Sequence, residues 1–399
     1  MHDTTQELPL TSNPPRPQSR ISRLIRISAI AALILAAVLI LTLASHPERR
    51  DYIEYWSSAR LLLHHSDPYA AANLFPLEKA HQFAGSSPII MPNPPWTLFL
   101  VAPLGFVGIR LGLYLWTLAA VLCVLAFVRL LNIESNGRGL AFVFAPFIAC
   151  LCSGQSSPFL LLGFALFLRF HRSRPFWAGA SLLLMAIKPH LFFIFWAVLL
   201  VDEIYRRRIR LFAGFAAALA AASALPLCCD PRIWQHYLAM IRSWGAVSRA
   251  PLPTASMLFR DLIDVHAFWL LFVPSAVAVL WGLWYYARNR RTPWNWATHG
   301  MLLMVVCIFT SPYSWFSDEI VLLPALVFAL TVVGKRRYAA WLLLAINTIG
   351  LYIVLVMHAN LMSHAYIWTP LTWLAWYLYA TYQTQPANHP SSIQTHQPA

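Results

Sequence analysis

Residues 111–131 read LGLYLWTLAAVLCVLAFVRLL, an unbroken apolar run whose one charge, Arg129, stands near its end. At about 1.5 Å per residue, a helix of this length covers the ~30 Å of a bilayer's hydrocarbon. Nothing in the run alternates as a half-buried strand would, so it is a membrane helix. Outward from it the same pattern repeats. Further runs occupy about 139–152, 158–170, 175–187, 190–205, 209–228, 265–287, 294–310, 319–333, 339–357 and 366–382, and an earlier one runs from Ile27 to Ala44. The expected fold class is an all-α polytopic membrane protein with about 12 transmembrane helices.

Composition agrees with this reading. The chain has 399 residues, 59% hydrophobic and 11% charged, where soluble domains carry roughly a quarter charged residues. The net charge of +14 could suggest nucleic acid, but the basic residues sit at the ends of apolar runs, where they fix topology. No nucleic-acid partner is expected. Of the six cysteines, Cys150 with Cys152 and the vicinal Cys228 and Cys229 have the spacing of a metal or redox pair. Their apolar surroundings favour small packed residues instead.

Residues 1–20 and 383–399 are polar, Pro-containing tails with no apolar period, and both are expected to be disordered and cytoplasmic. The integral membrane domain then covers 21–382. Arg16, Arg20, Arg23 and Arg26 precede the Ile27–Ala44 run; it resembles a signal peptide ending at Thr42-Leu43-Ala44, but is long enough to be an uncleaved first span. Basic clusters at 169–174, 206–210, 288–291 and 335–337 mark cytoplasmic loops. Counting back from them puts 46–110, the first external loop, and 229–264 outside, together with the turns near Ser153, Lys188, Ser311 and His358. The apolar stretch from Pro94 to Val107 lies between two external positions, so a re-entrant or interfacial helix is expected there. Several runs fall short of the ~20 residues a crossing needs and have Pro at their ends, as broken helices lining a cavity do.

Polar residues at the outer turns are the candidates for chemistry. Asp51 and Glu54 are three apart and would share a helix face, with Tyr55 and Trp56 dipping an amphipathic outer-face helix into the interface. That helix is either a solvated surface element or the carrier of a carboxylate that accepts a proton from an incoming hydroxyl. Gln155 lies in the polar turn Ser153-Gly154-Gln155-Ser156-Ser157. Lys188, before Pro189 and His190, either snorkels to the outer surface or holds an anionic group such as a lipid phosphate. In Ser314-Trp315-Phe316-Ser317-Asp318-Glu319, Ser317 or Asp318 caps the next span, or Asp318 belongs to a site. Arg60 is a further cation in the first external loop. The chain has no glycine-rich phosphate loop, His-Glu-x-x-His, Asp-x-Asp or Gly-x-Ser-x-Gly, which argues against nucleotide hydrolysis, zinc proteolysis and metal-dependent sugar-nucleotide chemistry. His64, His65, His358 and His364 lack accompanying ligands and read as interfacial, so no metal site is expected.

Taken in order, Asp51-x-x-x-Tyr55, Asp67-Pro68-Tyr69, Asn93-Pro94-Pro95 followed by Leu98 to Pro103, Gly154-Gln155, Gly179 to Ile187-Lys188-Pro189, and Ser311-Pro312-Tyr313 with Asp318 resemble glycosyltransferase family 87. The resemblance runs from about residue 51 to 335. It implies the GT-C fold of polyprenyl-phosphate-mannose-dependent mannosyltransferases, with Asp51 as catalytic base in an outer cavity that binds a lipid-linked sugar. Members often have Tyr-Pro-Pro where this chain has Asn93-Pro94-Pro95, and some have histidines where it has Ser317-Asp318.

The function expected from the two readings is transfer of a sugar, mannose by the resemblance, from a polyprenyl-phosphate donor to a hydroxyl of a lipid or glycan acceptor. It takes place on the periplasmic or outer face of a plasma membrane, a bacterial inner membrane by expectation, with membrane lipids as further partners. In a single displacement Asp51 takes the acceptor proton. Lys188, with Arg60 or His190, meets the charge on the departing phosphate. Glu54, Tyr55, Gln155, Ser314, Trp315 and Asp318 complete the expected substrate-binding set. Because the leaving group is a phosphate monoester, no cofactor is expected. The alternative is a transporter or flippase for a lipid-linked sugar, which would also use broken helices and an intramembrane cation; no inverted repeat is visible.

Overall fold

The computed structural model describes residues 51–243, 252–291, 294–333, 337–359, 361 and 363–382. The expected span at Ile27–Ala44 and both tails lie outside these residues. Among the described residues the structure is helical with no strand. The apolar runs become the helices Ile109–Leu130, Ser135–Val143 with Ala145–Ser153, Ser157–Phe170, Pro175–Met185, Phe193–Tyr205, Ile209–Cys229, Val273–Asn289, His299–Thr310, Leu323–Val333, Arg337–Leu355 and Thr369–Tyr382. Among the described residues, six helices are long and apolar enough to cross a membrane: Ile109–Leu130, Asn136–Ser153, Ile209–Cys229, Phe268–Asn289, Phe316–Val333 and Tyr338–Leu355. Four more apolar helices, Pro95–Phe106, Ser157–Phe170, Pro175–Met185 and His299–Thr310, are shorter. The described residues are thus those of a helical membrane protein. The count of twelve crossings rested on apolar runs alone, which do not tell a full crossing from a short helix buried in the bundle.

Leu111, Leu115, Leu118 and Leu122 of Ile109–Leu130 are all about half exposed and form one stripe at helical spacing, the face of a helix that meets lipid. Its other face, with Trp116, Ala120 and Phe127, is buried. Asn136–Ser153 is broken at Phe144, whose extended ψ of 123° precedes Pro146 at the start of the second half. Proline lacks an N–H and cannot continue the ladder. The freed groups are satisfied from another helix: Asn347 Nδ2 donates to the Val143 carbonyl at 2.9 Å, and its Oδ1 accepts from Ala145 N–H at 2.8 Å. One buried amide thus closes a break that would otherwise leave two backbone groups bare in the bundle. Helices Pro175–Met185 and Ile209–Cys229 touch through Gly179 and Gly214; a Cβ on either would overlap a backbone carbonyl of the other helix, Leu211 or Phe176. This is close packing through small residues, as in membrane bundles.

Two groups of loops gather at opposite ends. At one, Arg172 donates to the Trp294 carbonyl at 3.3 Å and Arg290 lies 5.0 Å over the Tyr205 ring. There Asp202 accepts from Arg206, Arg208 and Tyr286 at 2.6–2.8 Å. At the other, His65 bonds the Cys229 carbonyl at 2.7 Å, and the ring pairs Trp96–Trp234 and Tyr69–Tyr237 are 5.6 and 5.4 Å apart. Segments 46–110 and 229–264 therefore meet, where they are described, and the basic loops 169–174, 206–210 and 288–291 meet away from them.

One expectation for the first loop needs correction. Tyr52–Leu63 is a core helix rather than an amphipathic interfacial one: Tyr55 and Trp56 are 1% and 3% exposed. The reason is that Trp56 donates to the Val107 carbonyl at 3.0 Å and Tyr55 packs on Trp116 at 5.3 Å, so both rings point into the bundle. Pro95–Phe106 alternates 3-10 and α turns over twelve residues, about 22 Å of helix at most, and stops short of a crossing length. The cysteines differ as well: Cys150 is buried, but Cys228 is exposed and Cys229 partly so, because they end the Pro226-containing helix Ile209–Cys229.

Candidate active site

Each polar turn contributes at least one side chain to a single cluster. Asp51 precedes the first turn of Tyr52–Leu63. Facing it is Gln155, and the residue that places it there is Gly154. Gly154 ends the helix Ala145–Ser153 in the left-handed conformation, φ +80°, which glycine adopts without strain. A Cβ at this point would strike the Tyr52 side chain. The Gly154 carbonyl is fixed in turn by Trp116 Nε1 at 2.8 Å.

Gln155 Nε2 donates to Asp51 Oδ2 at 2.8 Å. Its Oε1 accepts from Lys188 Nζ at 3.0 Å and from the Tyr55 hydroxyl at 3.3 Å. Lys188 Nζ also donates to Asp318 Oδ1 at 2.7 Å and to Ser157 Oγ at 3.4 Å. Asp318 Oδ1 further accepts from Ser157, and Oδ2 accepts from the Trp315 N–H at 3.0 Å. Asp51, Tyr55, Gln155, Lys188 and Asp318 thus form one connected network drawn from four segments of the chain. Lys188 does not snorkel; it is 6% exposed and carries its counter-ion with it, as a buried ammonium must. Asp318 reaches back to Trp315 as a capping carboxylate in the first turn of Phe316–Leu322 and pairs with Lys188 as well. Ser317 does not cap; its buried Oγ has no partner among the described residues.

Burial pushes the Asp51 carboxyl above its ordinary value, with the Asp318 charge adding to the rise, while Gln155 and Lys188 pull the other way. Glu54, 7% exposed, is raised well above its ordinary value by burial and then by Asp51. Glu78 joins this acidic side: burial raises it to about 7, and its Oε2 accepts from the Ile89 N–H at 3.2 Å.

The other expected residues stand around the network. His190 stacks on Tyr313 with ring centroids 3.8 Å apart, and its buried Nε2 has no partner among the described residues. Ser314 donates to the Trp315 carbonyl at 3.3 Å and, with Trp315, shapes the turn that carries Asp318. Arg60 is turned elsewhere, to the Gly105 carbonyl at 2.8 Å. Ser156 and Ser157 join the cluster although only Gln155 was singled out in their turn; Ser156 Oγ lies 3.2 Å from the Tyr55 hydroxyl. Glu319, buried beside Asp318, accepts from Thr369 at 2.5 Å and Trp373 at 2.7 Å. It ties the helix Thr369–Tyr382 to the site, and nothing in the sequence of that helix signals the contact. Among the described residues no group of three His, Cys, Asp or Glu side chains has the arrangement of a metal site.

A network of this kind, a carboxylate with one oxygen engaged and the other open beside a buried cation, suits proton removal from a hydroxyl. No curated protein and no solved structure matches the chain. The model of one family, Glycosyltransferase family 87, matches residues 92–312, a stretch that contains Gln155, Lys188 and His190 and that lies between Asp51 and Asp318. The match covers more than half of this helical membrane protein, and the chain belongs to glycosyltransferase family 87, the family of a membrane glycosyltransferase.

Proposed function

We propose that the protein transfers mannose from a polyprenyl-phosphate donor to a hydroxyl of a lipid or glycan acceptor, at the outer face of a plasma membrane. The observation that carries this reading is the Asp51 carboxylate: Oδ2 is held by Gln155, and Oδ1 has no partner among the described residues. In one displacement the acceptor oxygen bonds to the anomeric carbon and its proton passes to Asp51. The carbon–oxygen bond to the phosphate breaks, and the phosphate leaves with the bonding pair. A single displacement inverts the anomeric centre. His190 lies beside the Lys188–Asp318 pair, is held neutral by burial, which lowers its pKa to about 3, and has Nε2 without a partner among the described residues, so it is the group left to meet the departing phosphate, as an N–H donor; Lys188 is already compensated, and Arg60 is engaged at Gly105. The outer-face assignment is supported by the basic loops 169–174, 206–210 and 288–291, which lie at the end away from the segment that carries Asp51.

The test is donor choice. Purified protein with an extract of native lipids is given labelled mannose as the polyprenyl phosphate or as the nucleoside diphosphate. Labelled product is expected from the lipid-linked donor alone. Product from the nucleotide donor alone would overturn the donor and, with it, the outer-face assignment.

A further inference from the structure

Gln155 has one accepting end and one donating end, and its neighbours leave only one way to place them. An ammonium donates and never accepts, so the atom 3.0 Å from Lys188 Nζ is Oε1, and the Tyr55 hydroxyl donates to the same atom. Nε2 is thereby aimed at Asp51. Turning the amide over would set its NH2 against the ammonium and its oxygen against the carboxylate, exchanging attractive contacts for repulsive ones. Lys188 is itself immobilised by Asp318 and Ser157, and Asp318 by the Trp315 N–H.

We infer that Gln155 and Lys188 are positioning residues for Asp51: Lys188 sets the amide orientation of Gln155, whose N–H holds Asp51 Oδ2 so that Oδ1 is left to take the acceptor's proton. This goes beyond the proposed function and rests on its assignment of Asp51 as base. It gives Lys188 a task other than binding phosphate, consistent with a charge already matched by Asp318 at 2.7 Å. The charged and titratable groups acting with Asp51 are Lys188, Asp318, Glu54 and Tyr55.

Three variants test the inference by transfer rate against pH and by the donor KM, with Asp51→Asn measured in parallel. Gln155→Glu puts a second carboxyl against Asp51, which opposes its ionisation. The rising limb of the pH–rate profile is expected to move up by about one unit or more, with rate recovered at alkaline pH. Gln155→Met removes the N–H and is expected to lower kcat about tenfold, since a hydrogen bond to a charged group is lost, with donor KM within about twofold. Should either fail to fold, Lys188→Met with Asp318→Asn keeps the cluster neutral and frees the amide; kcat should fall and donor KM hold. An unmoved profile in Gln155→Glu, or a donor KM raised tenfold in the double variant with its profile unmoved, would overturn the inference and make these residues substrate ligands. If Asp51→Asn retains normal turnover, the base assignment fails and takes the inference with it. If Asp51→Asn is inactive while Gln155→Glu behaves as the native protein, the inference fails alone.

Discussion

Asp51→Asn is expected to reduce transfer by about 10² to 10⁴, the usual contribution of a general base, while leaving folding and donor binding nearly intact. The amide keeps the shape of the carboxylate, and its oxygen still accepts from Gln155 Nε2, which lies 2.8 Å from Asp51 Oδ2. What is lost is the capacity to hold a proton. Because burial raises the Asp51 pKa, the native rate should climb with pH through a limb above the ordinary carboxylate range, as the base must be deprotonated to act. The Asn variant should lose that limb. Turnover close to native in the variant would move the base to Glu54, one helical turn further on.

Asp318→Ala should be the most destabilising single change at the site. It leaves the Lys188 ammonium, 6% exposed, without its counter-ion, and breaking a buried ion pair from one side typically costs about 3 to 5 kcal/mol. It also removes the acceptor of the Trp315 N–H and of Ser157. The expected outcome is a large drop in the thermal midpoint in detergent, or loss of folded protein altogether. Lys188→Met combined with Asp318→Asn removes both charges and should recover most of the loss. A drop equal in the single and double variants would show that the pair's charge is not what matters there. A negligible drop in the single variant would show that water or another group already screens the lysine.

The helices were legible because each is an apolar run: 111–131 in the sequence is Ile109–Leu130 in the structure. Crossing number was not, since hydropathy does not distinguish a helix buried by its neighbours from one that spans lipid; Ser157–Phe170 is apolar and mostly buried. Asp51, Gln155, Lys188 and Asp318 stood out for one reason, that polar side chains are costly beside apolar runs. Their partnerships did not, because they are far apart in the chain: Gln155 meets Asp51 across 104 residues and Lys188 meets Asp318 across 130. Arg60 resembled the other cations in sequence, and only packing showed it spent on Gly105. The tasks of Asn347 and Glu319 were not legible because each serves a distant segment, the break at Phe144 for one and Thr369 with Trp373 for the other.

Whether the site makes a bond or moves a lipid separates the account from its transporter alternative. Purified protein in sealed liposomes, loaded with polyprenyl phosphate carrying labelled mannose and with native acceptor lipids, allows both fates of the label to be followed in one sample. Label is expected in a new product linked to the acceptor, with polyprenyl phosphate released in equal amount, and neither in vesicles bearing Asp51→Asn. Intact donor redistributed between the leaflets, with no new glycosidic product, would contradict it.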